Sequence, residues 1–367
     1  MEKMKIGISV GDINGIGLEV ILKTISNKKI TDICTPVIYG STKIISYHKN
    51  IVGIEDFKYQ GLKDAHRLHN EKINIINCWQ DNVNITLGKV SDTGGKYAHL
   101  SLERAVNDLK IGLIDALVTA PINKQAMDLV NFGFPGHTEY LTHTFEVNEN
   151  LMFMITDDLK IGLVTNHLPL TKVASSIDKR LILKKLKIMN ETLKMDFGIE
   201  RPTIAVLGLN PHASDGGVFG EEEEASIRPA IIEAKKKGLM VFGPYSADSF
   251  FGSYSYKKYD AILAMYHDQG LIPFKTLSFG KGVNYTAGLP IVRTSPDHGT
   301  GFDIVGQNKA DASSFRNAMY AAIDIARNRR DYLEMHENPI EKRTKNLKED
   351  DLTAGALKEN VEENAEV

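Results

Sequence analysis

The chain has 367 residues, 42% of them hydrophobic and 25% charged, which suits one large α/β body or two domains. A formal net charge of −3 leaves no basic footprint for nucleic acid or an anionic membrane surface. No stretch approaches the ~18 apolar residues of a membrane span. The start MEKMKIGISVGD enters a strand pattern without a signal-peptide core, so a cytoplasmic protein is expected.

In chain order, short apolar runs predict strands over 5–10, 36–39, 116–119, 161–165, 204–209 and 261–265. Helical periodicity falls between and after them, over 17–26, 97–109, 177–195, 222–237 and 313–327. Such alternation predicts an α/β fold, a mostly parallel sheet covered by helices. Within 177–195, Ile182, Leu186, Met189 and Leu193 form the expected core-facing stripe. The two cysteines, Cys34 and Cys78, are expected in or near strands and unpaired. The charged segment 341–367 is expected to be disordered or a weakly held helix.

Ligands of open α/β sheets bind where strands end, and five predicted strands end in polar sequence. These ends are Gly11-Asp12, Ala120-Pro121-Ile122-Asn123-Lys124, Asn166-His167, Asn210-Pro211-His212 and His267-Asp268-Gln269-Gly270. A lone strand-end histidine is usually a structural hydrogen-bonding group. Three of them, His167, His212 and His267, on one sheet edge suit a divalent metal with open positions for substrate oxygens. No short-spacing metal motif supports that reading, which depends on strand ends alone.

Anion-binding candidates follow. The glycine-rich turn Gly11–Gly17 can present backbone N–H groups to a phosphate, or simply close a tight βα turn; Asp12 and Glu19 speak for the second. In Gly136-His137-Thr138-Glu139, His137 and Thr138 can donate to an anion, and Thr138 can equally cap a helix. Lys275 is a phosphate partner, a proton-transfer group or a surface lysine. The segment 282–299, dense in Gly, Pro and polar residues, reads as a binding loop containing Asn284 and Arg293. The acids Glu221–Glu224 read as helix N-terminal charge.

Together GDINGIGLE, VTAPINK, GHTEYL, TNHLPL, GLNPHASDGG, MYHDQGL and GVNYTAGLPIVRTSPDHGTGFDIVG, spanning about 6–330, resemble the 4-hydroxythreonine-4-phosphate dehydrogenase family of vitamin B6 biosynthesis. The resemblance implies an isocitrate/isopropylmalate-dehydrogenase-like homodimer of two α/β/α domains around a central cleft. The first domain would comprise 1–125 plus 290–335 and the second 126–289. It implies His167, His212 and His267 as ligands of one zinc, cobalt or magnesium ion, with one of them reaching across from the partner subunit. His137, Thr138, Lys275, Asn284 and Arg293 match substrate-binding positions. Lys275 and Asp268 are the catalytic candidates, Asp268 orienting its neighbouring histidine or moving a proton. Gly288, Pro290 and Asp297 are candidates for contacting NAD(P). The implied reaction oxidises 4-phosphooxy-L-threonine at C3, and the β-keto acid then loses CO2. Alternatives are oxidation of D-threonate or D-erythronate 4-phosphate, or a non-redox phosphotransacetylase-like enzyme or phosphate-binding protein. The chain departs from many members at Asn14, Leu18, Val218 and Phe219.

Overall fold

A computed structural model describes residues 3–27 and 29–338; the expectation for 341–367 lies outside them. Twelve strands form one sheet: β1 Met4–Ser9, β2 Cys34–Gly40, β3 Tyr59–Leu62, β4 Ile73–Asn77, β5 Ala116–Thr119, β6 Leu151–Ile155, β7 Lys160–Leu163, β8 Thr203–Leu207, β9 Met240–Tyr245, β10 Ala261–Ala264, β11 Val283–Ala287 and β12 Val292–Pro296. Their order is β3-β4-β2-β1-β5-β12-β11-β6-β7-β10-β8-β9. The predicted α/β class is the observed one.

Strand direction divides this sheet. β3, β4, β2, β1, β5 and β12 are mutually parallel, as are β7, β10, β8 and β9. Between these blocks, β12–β11, β11–β6 and β6–β7 all pair antiparallel. Three reversals leave the two blocks running in opposite senses. The histidine-bearing ends follow the neighbouring parallel strands β7, β10 and β8, so those three share one edge. The polar ends after β1 and β5 belong to the other block. The described residues as far as Tyr332 pack as one compact unit.

The β11–β12 hairpin corrects the reading of 282–299 as a loop. Cross-strand pairing of Asn284 with Ser295 and Tyr285 with Thr294 places it in the middle of the sheet. Polar residues interrupt its apolar runs because some of them face a cavity. Beneath it, Arg329 bonds both Asp196 carboxylate oxygens at 2.8 and 3.0 Å and the Tyr285 hydroxyl at 2.9 Å. A second arm donates to the Leu289 carbonyl at 3.1 Å, so one buried guanidinium ties the hairpin turn to two helices.

Helix boundaries moved for local reasons. The helix expected from 177 starts at Lys179, because Asp178 caps it by accepting from Leu181 N at 2.7 Å. Its Ile182, Leu186, Met189 and Leu193 stripe is buried as expected. The helix expected over 222–237 is a π-turn Glu223–Ile227 followed by α-helix Arg228–Lys236. Cys34 opens β2, Cys78 follows β4, and both are free thiols whose pKa burial pushes up to about 12. No helix among the described residues is long and apolar enough to cross a membrane.

Candidate active site

A cavity of about 280 Å³ lies against β5, β11 and β12. The strand side supplies Thr119, Asn284, Arg293 and Ser295; the helix His137–Thr144 supplies His137, Thr138 and Glu139. Lys124, His167 and His298 complete its polar lining. The structure therefore brings together His137, Thr138, Asn284, Arg293 and His167 from distant parts of the chain. Lys124, Glu139 and His298 were not singled out by sequence. Lys124 ends a recognised polar strand end, and its neighbour Asn123 is used up capping the next helix through Ala126 N at 2.9 Å. Gly136 holds the N-cap of helix His137–Thr144, so Thr138 is not the cap.

Arg293 is the electrostatic centre. It is 3% exposed, donates from Nε and Nη2 to the Thr119 hydroxyl and from Nη1 to the Thr286 hydroxyl, and has no carboxylate ion pair among the described residues. Burial lowers its pKa to about 10, opposed by Glu139, so it stays charged at neutral pH. His137 is held neutral: burial, then the Arg293 charge, keeps its imidazole well below the usual histidine range. Its Nε2 and that of His298 are buried and unpartnered among the described residues. Buried polar atoms are almost always bonded. A buried cation without a salt bridge beside orphaned ring nitrogens is an arrangement that an anion with several oxygens satisfies.

The metal candidates divide two and one. His167 and His267 have ring centroids 5.7 Å apart. His267 opens helix His267–Ser278, and Asp268 Oδ1 lies 2.7 Å from its Nδ1. A carboxylate accepts only, so this contact puts the proton on Nδ1 and leaves the Nε2 lone pair available. Partial burial, then Lys124 and His267, lower the His167 pKa, with Glu139 opposing. His212 stands apart, its ring 5.9 Å from that of Phe219. No group of three or more His, Cys, Asp or Glu among the described residues converges as a metal-holding set. One copy of the chain thus supplies two neighbouring imidazole donors, which fit a divalent ion only if a further donor joins them.

His212 has a feature that no sequence motif announced. It begins a run of four non-glycine residues, His212 to Asp215, with φ between 46 and 68°. Each left-handed residue of this kind costs about 1–2 kcal/mol, and such strain persists only where surroundings enforce it. The segment entering the run is anchored by Glu223, fully buried, whose Oε1 accepts from Leu209 N at 2.7 Å and Asn210 N at 2.8 Å, and the Asn210 carbonyl in turn accepts from Ala213 N at 3.1 Å. Its Oε2 accepts from Asn210 Nδ2 at 2.9 Å, and Glu222 takes the same amide at 2.7 Å. The acids Glu221–Glu224 are therefore not merely helix N-terminal charge; two of them hold Asn210, which leads into the histidine turn.

Other expected residues lie outside the cavity lining. Lys275 pairs with Asp297 at 3.2 Å, next to the lining residues Pro296 and His298. Gly288 and Pro290 sit in the hairpin turn before β12, whereas Asp297 follows its far end, so the three cofactor candidates do not converge. Gly288 packs instead near Ile188 and Glu149. The turn after β1 is internal structure. Asp12 and Asn14 are buried, and Asn14 bonds Asp12, Thr86, Lys89 and Ser91. Gly11 at φ +66° leaves no room for a Cβ against Pro121 O. That segment closes a tight βα turn and presents no phosphate cradle.

Fold and cavity together define an α/β enzyme with a small, basic, histidine-lined pocket beside its central strands. Residues 32–322 match the family model described as pyridoxal phosphate biosynthetic protein PdxA. The chain is 48% identical over 341 residues to a 4-hydroxythreonine-4-phosphate dehydrogenase of Bacteroides thetaiotaomicron, covering 93% of each. It is 38% identical to an Oceanobacillus iheyensis relative named for D-threonate 4-phosphate dehydrogenase, covering 89% of this chain and 98% of that one. A crystal structure of the Klebsiella pneumoniae 4-hydroxythreonine-4-phosphate dehydrogenase superposes with TM-score 0.79 at 33% identity, over 89% of this chain and 98% of that one. The chain belongs to the pyridoxal phosphate biosynthetic protein PdxA family.

Proposed function

We propose that this chain is a cytoplasmic 4-hydroxythreonine-4-phosphate dehydrogenase. It oxidises 4-phosphooxy-L-threonine at the C3 hydroxyl with NAD(P), and the resulting 2-amino-3-oxo-4-phosphooxybutanoate loses CO2 to give 3-amino-2-oxopropyl phosphate. The observation that carries the reading is the Arg293 guanidinium, charged, buried and with no salt bridge among the described residues, against the cavity. A phosphorylated amino acid supplies the missing anion. His137 and Thr138 hold substrate oxygens beside it, and Asn284 orients the polar groups at the strand side. Among the described residues Lys275 is held by a half-exposed pair with Asp297, a weak tie that a substrate phosphate can replace.

His167 and His267 of one copy, with His212 of a second, are the donors for one zinc, cobalt or magnesium ion, which makes the working unit a homodimer. When bound, the nicotinamide accepts hydride and the ion eases charge on the reacting oxygen. Asp268 acts on the proton of His267 Nδ1 and fixes its tautomer. The antiparallel β11–β12 pairing falls at the boundary between two proposed domains, 1–125 plus 290–335 and 126–289, with a cleft between them.

The test is reduction of NAD or NADP by the metal-supplemented protein with 4-phosphooxy-L-threonine, followed by absorbance. Turnover that falls at least about a hundredfold in His212→Ala is the expected result. No turnover with either nicotinamide overturns the reading. The named Oceanobacillus relative favours one second reading, oxidation of D-threonate 4-phosphate. That substrate run in parallel decides between them.

A further inference from the structure

One chain of hydrogen bonds crosses the three histidine-bearing strand ends. Its centre is Met265, two residues before His267. The Met265 carbonyl accepts from Thr165 N at 3.1 Å and from the Thr165 hydroxyl at 2.8 Å, and Thr165 lies two residues before His167. Met265 N donates to Gln269 Oε1 at 2.7 Å, and Gln269 Nε2 donates to the Gly208 carbonyl at 2.6 Å. Gly208 is the floor of the His212 turn: it lies four residues before that histidine, and a Cβ on it would meet Ala213 Cα at 2.9 Å.

The last link lies beyond the strand ladder. β10 and β8 pair in register from Ala261 with Ile204 to Leu263 with Val206. Past that pair the half-buried Gln269 amide takes the place of a peptide unit between the two strand ends. One of its main-chain partners is a donor and the other an acceptor, so a single orientation of the amide satisfies both. We propose that Gln269 is a positioning residue that fixes the His212 turn relative to the His167–His267 pair. The assignment rests on the metal-site reading above and adds to it the group that sets the spacing of its donors. With His212 serving a second copy, the tie in each copy spans the two sites of the dimer.

The experiment titrates the metal-free, full-length protein with cobalt(II), read from its absorption bands, and with zinc(II), read by competition with a chelating dye. Gln269→Glu keeps an acceptor for Met265 N but sets a carboxylate oxygen against the Gly208 carbonyl; Gln269→Leu removes both bonds. Gln269→Glu should weaken binding of both ions by about tenfold and Gln269→Leu by more, with altered cobalt bands. The control is Thr203→Val, since the Thr203 hydroxyl bonds Asp260 Oδ2 at 2.7 Å and ties the opposite ends of the same two strands. It should lower the melting temperature and leave affinity and bands unchanged. A merely structural Gln269 would behave in the same way. Unchanged affinity in Gln269→Glu, or an equal loss in Thr203→Val, overturns the assignment and leaves the dehydrogenase reading standing. A wild-type protein that binds neither ion overturns the metal-site reading with it.

Discussion

The Thr119 hydroxyl accepts two hydrogen bonds from Arg293, 3.0 Å from Nε and 2.7 Å from Nη2. One residue ends β5 and the other lies in the adjacent parallel strand β12, so sheet register aims the guanidinium. Arg293→Met should raise KM for the phosphorylated substrate by about a hundredfold or more. Thr119→Val keeps the charge but frees its direction, and should cost about tenfold in kcat/KM. Steady-state kinetics on both variants check this; equal effects would mean that charge alone matters.

A metal site shared between copies predicts complementation. His212→Ala and His267→Ala should each be inactive alone. Subunits mixed and reassociated give mixed dimers in which one of two sites has all three histidines. Half the dimers are mixed in a random exchange, so activity should return to about a quarter of wild type. Mixtures that stay inactive after subunit exchange, verified by mass spectrometry, would place His212 and His267 of one site in the same copy.

Glu223 is predicted to carry the His212 turn. Glu223→Ala leaves the N–H groups of Leu209 and Asn210 without their acceptor. Stability should fall by about 3 kcal/mol and the melting midpoint by about 5 °C or more. Metal affinity, measured by competition with a chelating dye, should fall as well, because the histidine loses its enforced direction. Undiminished metal affinity in a folded variant would separate the strain from the site.

His48 sets an acid limit on stability. It is 2% exposed, its Nε2 donates to the Ile13 carbonyl at 3.0 Å, and burial lowers its pKa to about 4. The fold favours the neutral ring, while the unfolded chain protonates it near 6.5. Its contribution is therefore complete above about pH 6.5 and lost as pH falls toward 4, up to about 3 kcal/mol. His48→Gln should flatten that part of the stability profile in denaturant titrations from pH 7 to 4.5. A parallel profile for variant and wild type would assign the acid sensitivity elsewhere.

Much of this molecule was legible in the chain itself because the signals are local. Apolar runs and helical stripes such as Ile182, Leu186, Met189 and Leu193 depend only on neighbours in sequence, and the motifs ending in His167, His212 and His267 mark strand ends directly. The tertiary structure alone decided the rest. It made 282–299 a central hairpin, because strand pairing joins segments more than a hundred residues apart. It left Arg293 without a salt bridge among the described residues, a fact set by what packs around it. It held His212 apart from the His167–His267 pair, on a turn whose entry at Asn210 is anchored by the buried Glu223. Residue types and their spacing determined which groups are available for chemistry. Strand order and direction, which no local period encodes, decided which of them meet.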